Sequence, residues 1–197
     1  MVLCFNPHRN FWCGFFLYIY VHIKIKTIHS YYFCIMISFI AKTQSGKEMQ
    51  VNVPSTWHDV TFDTYVQLIN FDNGTIEKRI AILLGWDEQD VLSLPIKDMI
   101  DLIPAISFTF DVDELKKYTT TPDEFKNWYI GHQPWSKLEQ CKQVLTKLDG
   151  KDIMNAGVDV VKIYTDKDIS KMPVTEALPM ASFFLTSCIN FISVLLN

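Results

Sequence analysis

Apolar residues recur at helical spacing through most of residues 49–197. A short extended lead-in ends at Pro54, which disfavours helix in the residue before it. Capping residues then mark helix ends: Thr61 precedes the first predicted helix, and Gly85 follows the second. The apolar positions predict helices at 62–71, 75–84, 87–93, 95–103, 134–149 and 175–196. Because the first four are joined by short links, we predict a mainly α, compact multi-helix domain with at most a short β element.

Shorter signals cover the segments between these helices. Thr121-Pro122-Asp123-Glu124 has the threonine, proline and glutamate of a capping box, which predicts a helix start. Residues 105–110 fit either a short strand or a continued helix. Residues 158–165 alternate and are rich in β-branched side chains, which predicts a strand. Residues 166–173 are polar and predict a loop.

The C-terminal helix contains no charged residue between positions 179 and 196. An uncharged segment of this length is a candidate membrane span. Small polar residues nevertheless recur along one face at spacings of three and four: Ser182, Thr186, Asn190, Ser193 and Asn197. Such a helix suits burial in a core or against a partner, which is the interpretation we favour. Polar stripes also occur in membrane bundles, so the span stays open as an alternative.

Charge divides the chain near Met49. The whole chain has a net charge of −4, but residues 1–48 hold five of the 18 basic residues and one of the 22 acidic residues. The body, residues 49–197, therefore has a net charge of −8. Nucleic-acid binding requires a basic face that neutralises phosphates, so we do not expect nucleic acid as a partner.

The apolar leader, residues 1–48, admits three interpretations. A secretory signal is disfavoured because residues 11–23 are bulky aromatics without a small-residue cleavage site. As membrane anchors, residues 11–23 and 28–41 are each shorter than a span requires. Phe, Tyr, Ile, Lys and Asn supply 23 of the 48 residues, which is typical of AT-rich DNA read through in frame. We therefore hypothesise that the leader is not part of the working protein and that translation starts at Met49, with Met36 as second choice.

Motifs of catalysis and cofactor binding are missing from the sequence. The segment ending Gly46-Lys47-Glu48 lacks the first glycine of a phosphate loop and has glutamate where a hydroxyl would hold magnesium. The five cysteines have no C-x-x-C spacing, and Cys141 and Cys188 fall on apolar helix stripes. We predict a non-enzymatic protein without cofactor or metal.

Two local clusters have structural explanations. His58 and Asp59 are adjacent, but no nucleophile accompanies them, so a turn before a helix is the preferred interpretation. Asp111, Asp113 and Glu114 resemble part of a calcium loop without its glycine or its final bidentate glutamate. A solvated acidic turn explains them better.

The segment Trp57-His-Asp-Val-Thr61, followed by Tyr65 and Leu68, resembles a motif in a family of small tailed-bacteriophage proteins from phages of gut bacteria. In that family the motif precedes a helix that ends in a glycine, as at Gly85. The resemblance covers residues 53–110 and, with fewer matches, 134–197. Members resemble tail assembly chaperones or associated virion-morphogenesis proteins.

This resemblance implies a non-enzymatic protein that binds phage structural or tape-measure proteins in the bacterial host cytoplasm. It is also compatible with an oligomer. A structural virion component is the first alternative, and a small membrane protein is the second. Apolar content and the resemblance together predict five partner-binding residues: Trp57, Tyr65, Phe183, Phe184 and Phe191.

Overall fold

The computed structural model describes residues 37–42, 46, 48–71, 74–111, 113–148 and 152–196. Within these ranges the chain forms seven α-helices, six short 3₁₀ helices and a two-stranded sheet. The helices are α1 (Phe62–Ile69), α2 (Ile76–Leu84), α3 (Glu88–Leu92), α4 (Ile96–Ala105), α5 (Trp135–Thr146), α6 (Gly157–Thr165) and α7 (Val174–Leu196). The prediction of a mainly α fold with a short β element is confirmed.

The β element is an antiparallel hairpin that crosses the predicted boundary at Met49. Strand β1 (Ile37–Lys42) pairs with β2 (Glu48–Val53), with Ile37 opposite Val53. Ala41 on β1 is fully buried, so the folded unit includes residues that the sequence analysis placed in the leader. The interpretations of residues 1–36 lie outside the described residues.

The helix ends at Thr61 and Gly85 agree with the predicted caps, and Thr75, predicted as the first residue of its helix, is a further N-cap. The Thr61 hydroxyl accepts a hydrogen bond from the Thr64 amide, and the Thr75 hydroxyl accepts one from the Lys78 amide. Gly85 ends α2 in the left-handed conformation, with φ of 66°. These contacts use neighbouring residues only, which is why the sequence alone can predict them.

Three local predictions need correction or resolution. Residues 158–165, predicted as a strand, form α6, because Gly157, Val160, Val161 and Tyr164 share a buried helical face. The predicted capping box at Thr121 is wrong: a three-residue 3₁₀ helix, Asp123–Phe125, starts there without a side-chain cap. Of the two alternatives for residues 105–110, the helical one is observed, as the end of α4 and a 3₁₀ turn.

The larger core surrounds α7. One face of this helix is fully buried at Ala177, Ala181, Phe184 and Cys188. The surrounding elements contribute the other buried residues of this cluster, which include Phe62, Leu138, Cys141, Val160, Val161 and Ile169. Helices α1, α5 and α6 therefore cover one side of a helix that carries no charge from residue 179 to residue 196.

A smaller core joins the hairpin to helices α2, α3 and α4. Its buried residues are Ala41, Val53, Ile80, Ala81, Val91, Leu94, Leu102 and Ile106. Leu83 on α2 packs against both clusters, so α2 connects the two halves of the core.

Replacing Gly157 with alanine should destabilise the protein although alanine favours helix. A Cβ there would lie 3.0 Å from Cζ of Phe62 and 3.1 Å from Cβ of Ala181, and both neighbours are fully buried. We expect a loss of about 1–2 kcal/mol in the free energy of unfolding. Chemical denaturation measures it, with Lys162→Ala on the exposed face of α6 as the control. A more stable Gly157→Ala protein would contradict close packing of α6 on α7.

A chain that begins at Met49 should be less stable than one that begins at Met36. The shorter chain lacks β1, so β2 loses its hydrogen-bonding partner and the smaller core loses Ala41. We expect a difference of about 2 kcal/mol in the free energy of unfolding. Equal stability of the two chains would show that the hairpin adds nothing to the body.

Candidate functional site

Two of the five predicted partner-binding residues are core residues. Trp57 is 3% exposed and Phe184 is 0% exposed. The Trp57 indole packs edge-on against Tyr65 and Phe108, and its Nε1 donates to the carbonyl oxygen of Asp111 at 3.4 Å. These two side chains have no surface to offer a partner, which corrects the sequence-based assignment.

Phe183 and Phe184 belong to an aromatic cluster between α7, α6 and the segment before α5. Phe184 stacks on Tyr164 with ring centroids 5.6 Å apart and meets Trp128 edge-on at 4.9 Å. Phe183 is half-buried and stacks on Phe125 at 5.7 Å. The cluster fixes α7 to its neighbours, and only the outer edge of Phe183 remains available for binding.

Tyr65 and Phe191 lie at different margins of the larger core, and both are partly buried. Burial raises the pKa of the Tyr65 hydroxyl, and the nearby Asp152 carboxylate raises that pKa further. Tyr65 is therefore neutral at physiological pH and contributes mainly apolar surface. The structure thus brings Trp57 close to Tyr65, and Phe183 close to Phe184.

The C-terminal end of α7 is the exposed part of this helix. Val194 is 76% exposed and Leu195 is 49% exposed, one turn beyond Phe191. The small polar residues Thr186, Asn190 and Ser193 face solvent rather than the core. The apolar end, which we define as Phe191, Val194 and Leu195, is thus a candidate binding surface.

Helix α7 also has the length and composition of a membrane span. Within the described residues it is the one helix that meets this criterion, with a mean hydropathy of 1.7. The central helix of a soluble core meets the same criterion. In this protein, 39% of the apolar stretch of α7 is buried.

A second exposed apolar surface lies on α4, and the sequence analysis missed it. Ile96, Ile100 and Ile103 are spaced four and three residues apart and are each at least 40% exposed. The neighbouring stripe, Leu102 on the helix and Ile106 directly after it, is buried in the smaller core. The sequence does contain a sign of this surface. Helix α4 has apolar residues on two faces, whereas a surface helix buries only one.

His58 and Asp59 do not form a catalytic pair. Oδ2 of Asp59 accepts hydrogen bonds from the amides of Ser55 and Thr56 at 3.0 and 3.1 Å. Burial acts to raise the pKa of Asp59, but these bonds and those from the two hydroxyls outweigh it and lower the pKa. Nδ1 of His58 instead lies 3.0 Å from the Thr175 hydroxyl. Both side chains hold the turn before α1 in place.

Two cysteines lie in the larger core near Tyr164. Cys141 and Cys188 are free and fully buried, and the Cys188 thiol lies 3.5 Å from the Tyr164 hydroxyl. Contact with Cys188 and burial raise the pKa of Cys141, so its thiol is protonated at neutral pH. Asp113 is exposed and pairs with Lys116 at 2.6 Å. The part of the chain that the structure describes contains no group of three or more potential metal ligands.

Comparison with known proteins gives no match: no family model, no curated protein and no solved structure matches the chain. The resemblance to phage tail assembly chaperones stays a prediction from short motifs. The two exposed apolar surfaces are the features of this chain that bear most directly on binding.

The Asp59 carboxylate should stabilise the protein above pH 4 and lose that effect in acid. Its pKa is lowered on folding, so its contribution is present above the usual value of 3.8 and disappears as the pH falls below it. We expect Asp59→Asn to cost about 1 kcal/mol at pH 7 and to flatten the loss of stability between about pH 5 and pH 3. Urea denaturation across this range measures both effects.

Asp87→Asn is the matched control for this experiment, because Asp87 occupies an N-cap position without a side-chain hydrogen bond. It should change stability little at any pH. If Asp59→Asn behaves like Asp87→Asn, the hydrogen bonds at Ser55 and Thr56 contribute nothing to stability.

Proposed function

We propose that this protein is a non-enzymatic binding protein of tailed-phage assembly, similar in role to a tail assembly chaperone. The observation that carries the proposal is the apolar end of α7, where Val194 and Leu195 are exposed within an uncharged segment. The resemblance of the segment from Trp57 to Thr61 to proteins of this class supports the same role.

The physical argument starts from the cost of exposing this surface. Fully burying a side chain such as leucine or valine contributes about 1.5–3 kcal/mol. A protein that leaves two of them exposed beside the partly buried Phe191 gains this free energy when a partner covers them. The resemblance implies a tape-measure protein that is kept soluble before tail polymerisation, and apolar segments of such a partner would pack on this surface.

The absence of a charge on this part of α7 affects which partner would bind. From residue 179 to 196 the helix offers only apolar and small polar side chains. Asn190 is exposed one turn before Val194, and its amide can donate or accept hydrogen bonds at the rim of the apolar end. An apolar helix of a partner can lie along this end without burying an unpaired charge.

A membrane role is a second candidate, because α7 has the length and hydropathy of a span. That role would require the buried face at Ala177, Ala181 and Phe184 to leave the core. The chaperone proposal requires no such rearrangement and uses the exposed end as it stands.

The proposal is tested by locating a tape-measure gene in the genome that encodes this chain and co-expressing its product with the chain. The chain should increase the soluble yield of that protein and co-purify with it, because its apolar end covers apolar segments of the partner. A double variant, Val194→Asp and Leu195→Asp, should reduce the recovered complex by more than about tenfold.

Trp135→Asp is the matched control, since Trp135 is exposed, apolar and remote in sequence from α7, and its position at the start of α5 accepts an acid. Failure of the wild-type chain to retain the tape-measure protein would contradict the proposal. Recovery of its peptides from purified virions would favour the structural virion component. Sedimentation with membranes after an alkaline wash would favour the membrane protein.

A further inference from the structure

Helix α4 presents an apolar face that the described part of the chain leaves partly to largely exposed. Ile96, Ile100 and Ile103 are 80%, 50% and 40% exposed. None of them belongs to either core cluster, whereas Met99 and Leu102 on the same helix pack in the smaller core. The helix is thus fixed by one stripe and leaves a second stripe free.

Two opposite charges flank the free stripe on one side. Lys97 follows Ile96, and Asp101 follows Ile100, so the two charged residues are four positions apart on α4. Both are exposed, and neither forms an ion pair with a described residue. Residues four apart can pair along a helix with the acid first, but here the base comes first, which is the weaker order.

An antiparallel copy of the same helix satisfies this charge pattern. When two α4 helices are related by a two-fold axis near Met99, Lys97 of each lies opposite Asp101 of the other. The same operation places the isoleucine stripes face to face, with Ile96 of each helix towards Ile103 of its copy. An interface about a two-fold axis must be complementary to itself, and the order of the two charges on this face meets that requirement.

We propose that α4 is a homodimer interface, in which two copies pack antiparallel through Ile96, Ile100 and Ile103 with two Lys97–Asp101 ion pairs at the edge. The contact is short, since the stripe spans about 10 Å of helix. A contact of this size gives a weak dimer that forms at high concentration rather than an obligate one. The interface is on a different helix from the apolar end of α7, so it is independent of the proposed partner binding.

Sedimentation equilibrium of the full chain over a range of concentrations tests the interface. The wild-type protein should reversibly approach twice its monomer mass as concentration rises to about 1 mM. Ile100→Asp should weaken the association by more than about tenfold, because it buries an unpaired charge in the seam. Trp135→Asp, which changes an exposed residue outside both α4 and the apolar end of α7, should leave the association unchanged.

Charge reversal distinguishes this geometry from any other use of the face. Lys97→Asp and Asp101→Lys should each weaken self-association by about tenfold, because each places like charges opposite one another. An equal mixture of the two variants should recover association, since the acidic edge of one faces the basic edge of the other. The double variant with both residues exchanged should also associate like the wild-type chain.

Three outcomes would overturn the proposal. The first is a wild-type chain that stays monomeric throughout the concentration range. The second is a dimer that Ile100→Asp leaves intact, which would place the interface elsewhere. The third is a mixture of the charge variants that associates no better than either alone, which would exclude the antiparallel pairing. Circular dichroism of each variant confirms that the fold is kept, because the substituted residues are exposed.

Discussion

Close packing of α6 on α7 is the contact on which the larger core depends. Gly157 at the start of α6 faces Ala181 on α7, and a side chain at Gly157 would lie 3.1 Å from Cβ of Ala181. Small residues at this crossing let the two backbones approach and bring Tyr164 onto Phe184. The aromatic cluster is therefore a consequence of the small residues, because a wider crossing would separate the stacked rings.

The turn before α1 is held to the loop before α7 by backbone hydrogen bonds. The amide of Phe62 donates to the carbonyl oxygen of Met172 at 2.9 Å, and the amide of Val174 donates to that of Val60 at 2.8 Å. These bonds fix the starting points of both helices. The motif from Trp57 to Thr61 is thus a structural motif: it supplies a core indole, a capping carboxylate and an N-cap.

Sequence and structure agree where neighbouring residues determine the conformation. Thr61, Thr75 and Gly85 act through bonds within one turn, so their roles can be predicted locally. The strand predicted at 158–165 is wrong. β-branched residues favour a strand where they can pack on a sheet, and their preference is not intrinsic to the backbone. Packing against α7 instead selects a helix, and that choice depends on residues about twenty positions away.

The exposed surfaces show why apolar content in the sequence does not locate an exposed face. Apolar content indicates that a helix is buried somewhere, but it does not show which stripe is covered when two are present. On α7 the aromatics near the centre are buried and the aliphatic end is exposed, whereas on α4 two apolar stripes lie side by side. The two surfaces are anchored in different clusters, α7 in the larger core and α4 in the smaller one. A substitution on one exposed face therefore leaves the packing beneath the other intact, and the functions of the two faces can be separated by mutation.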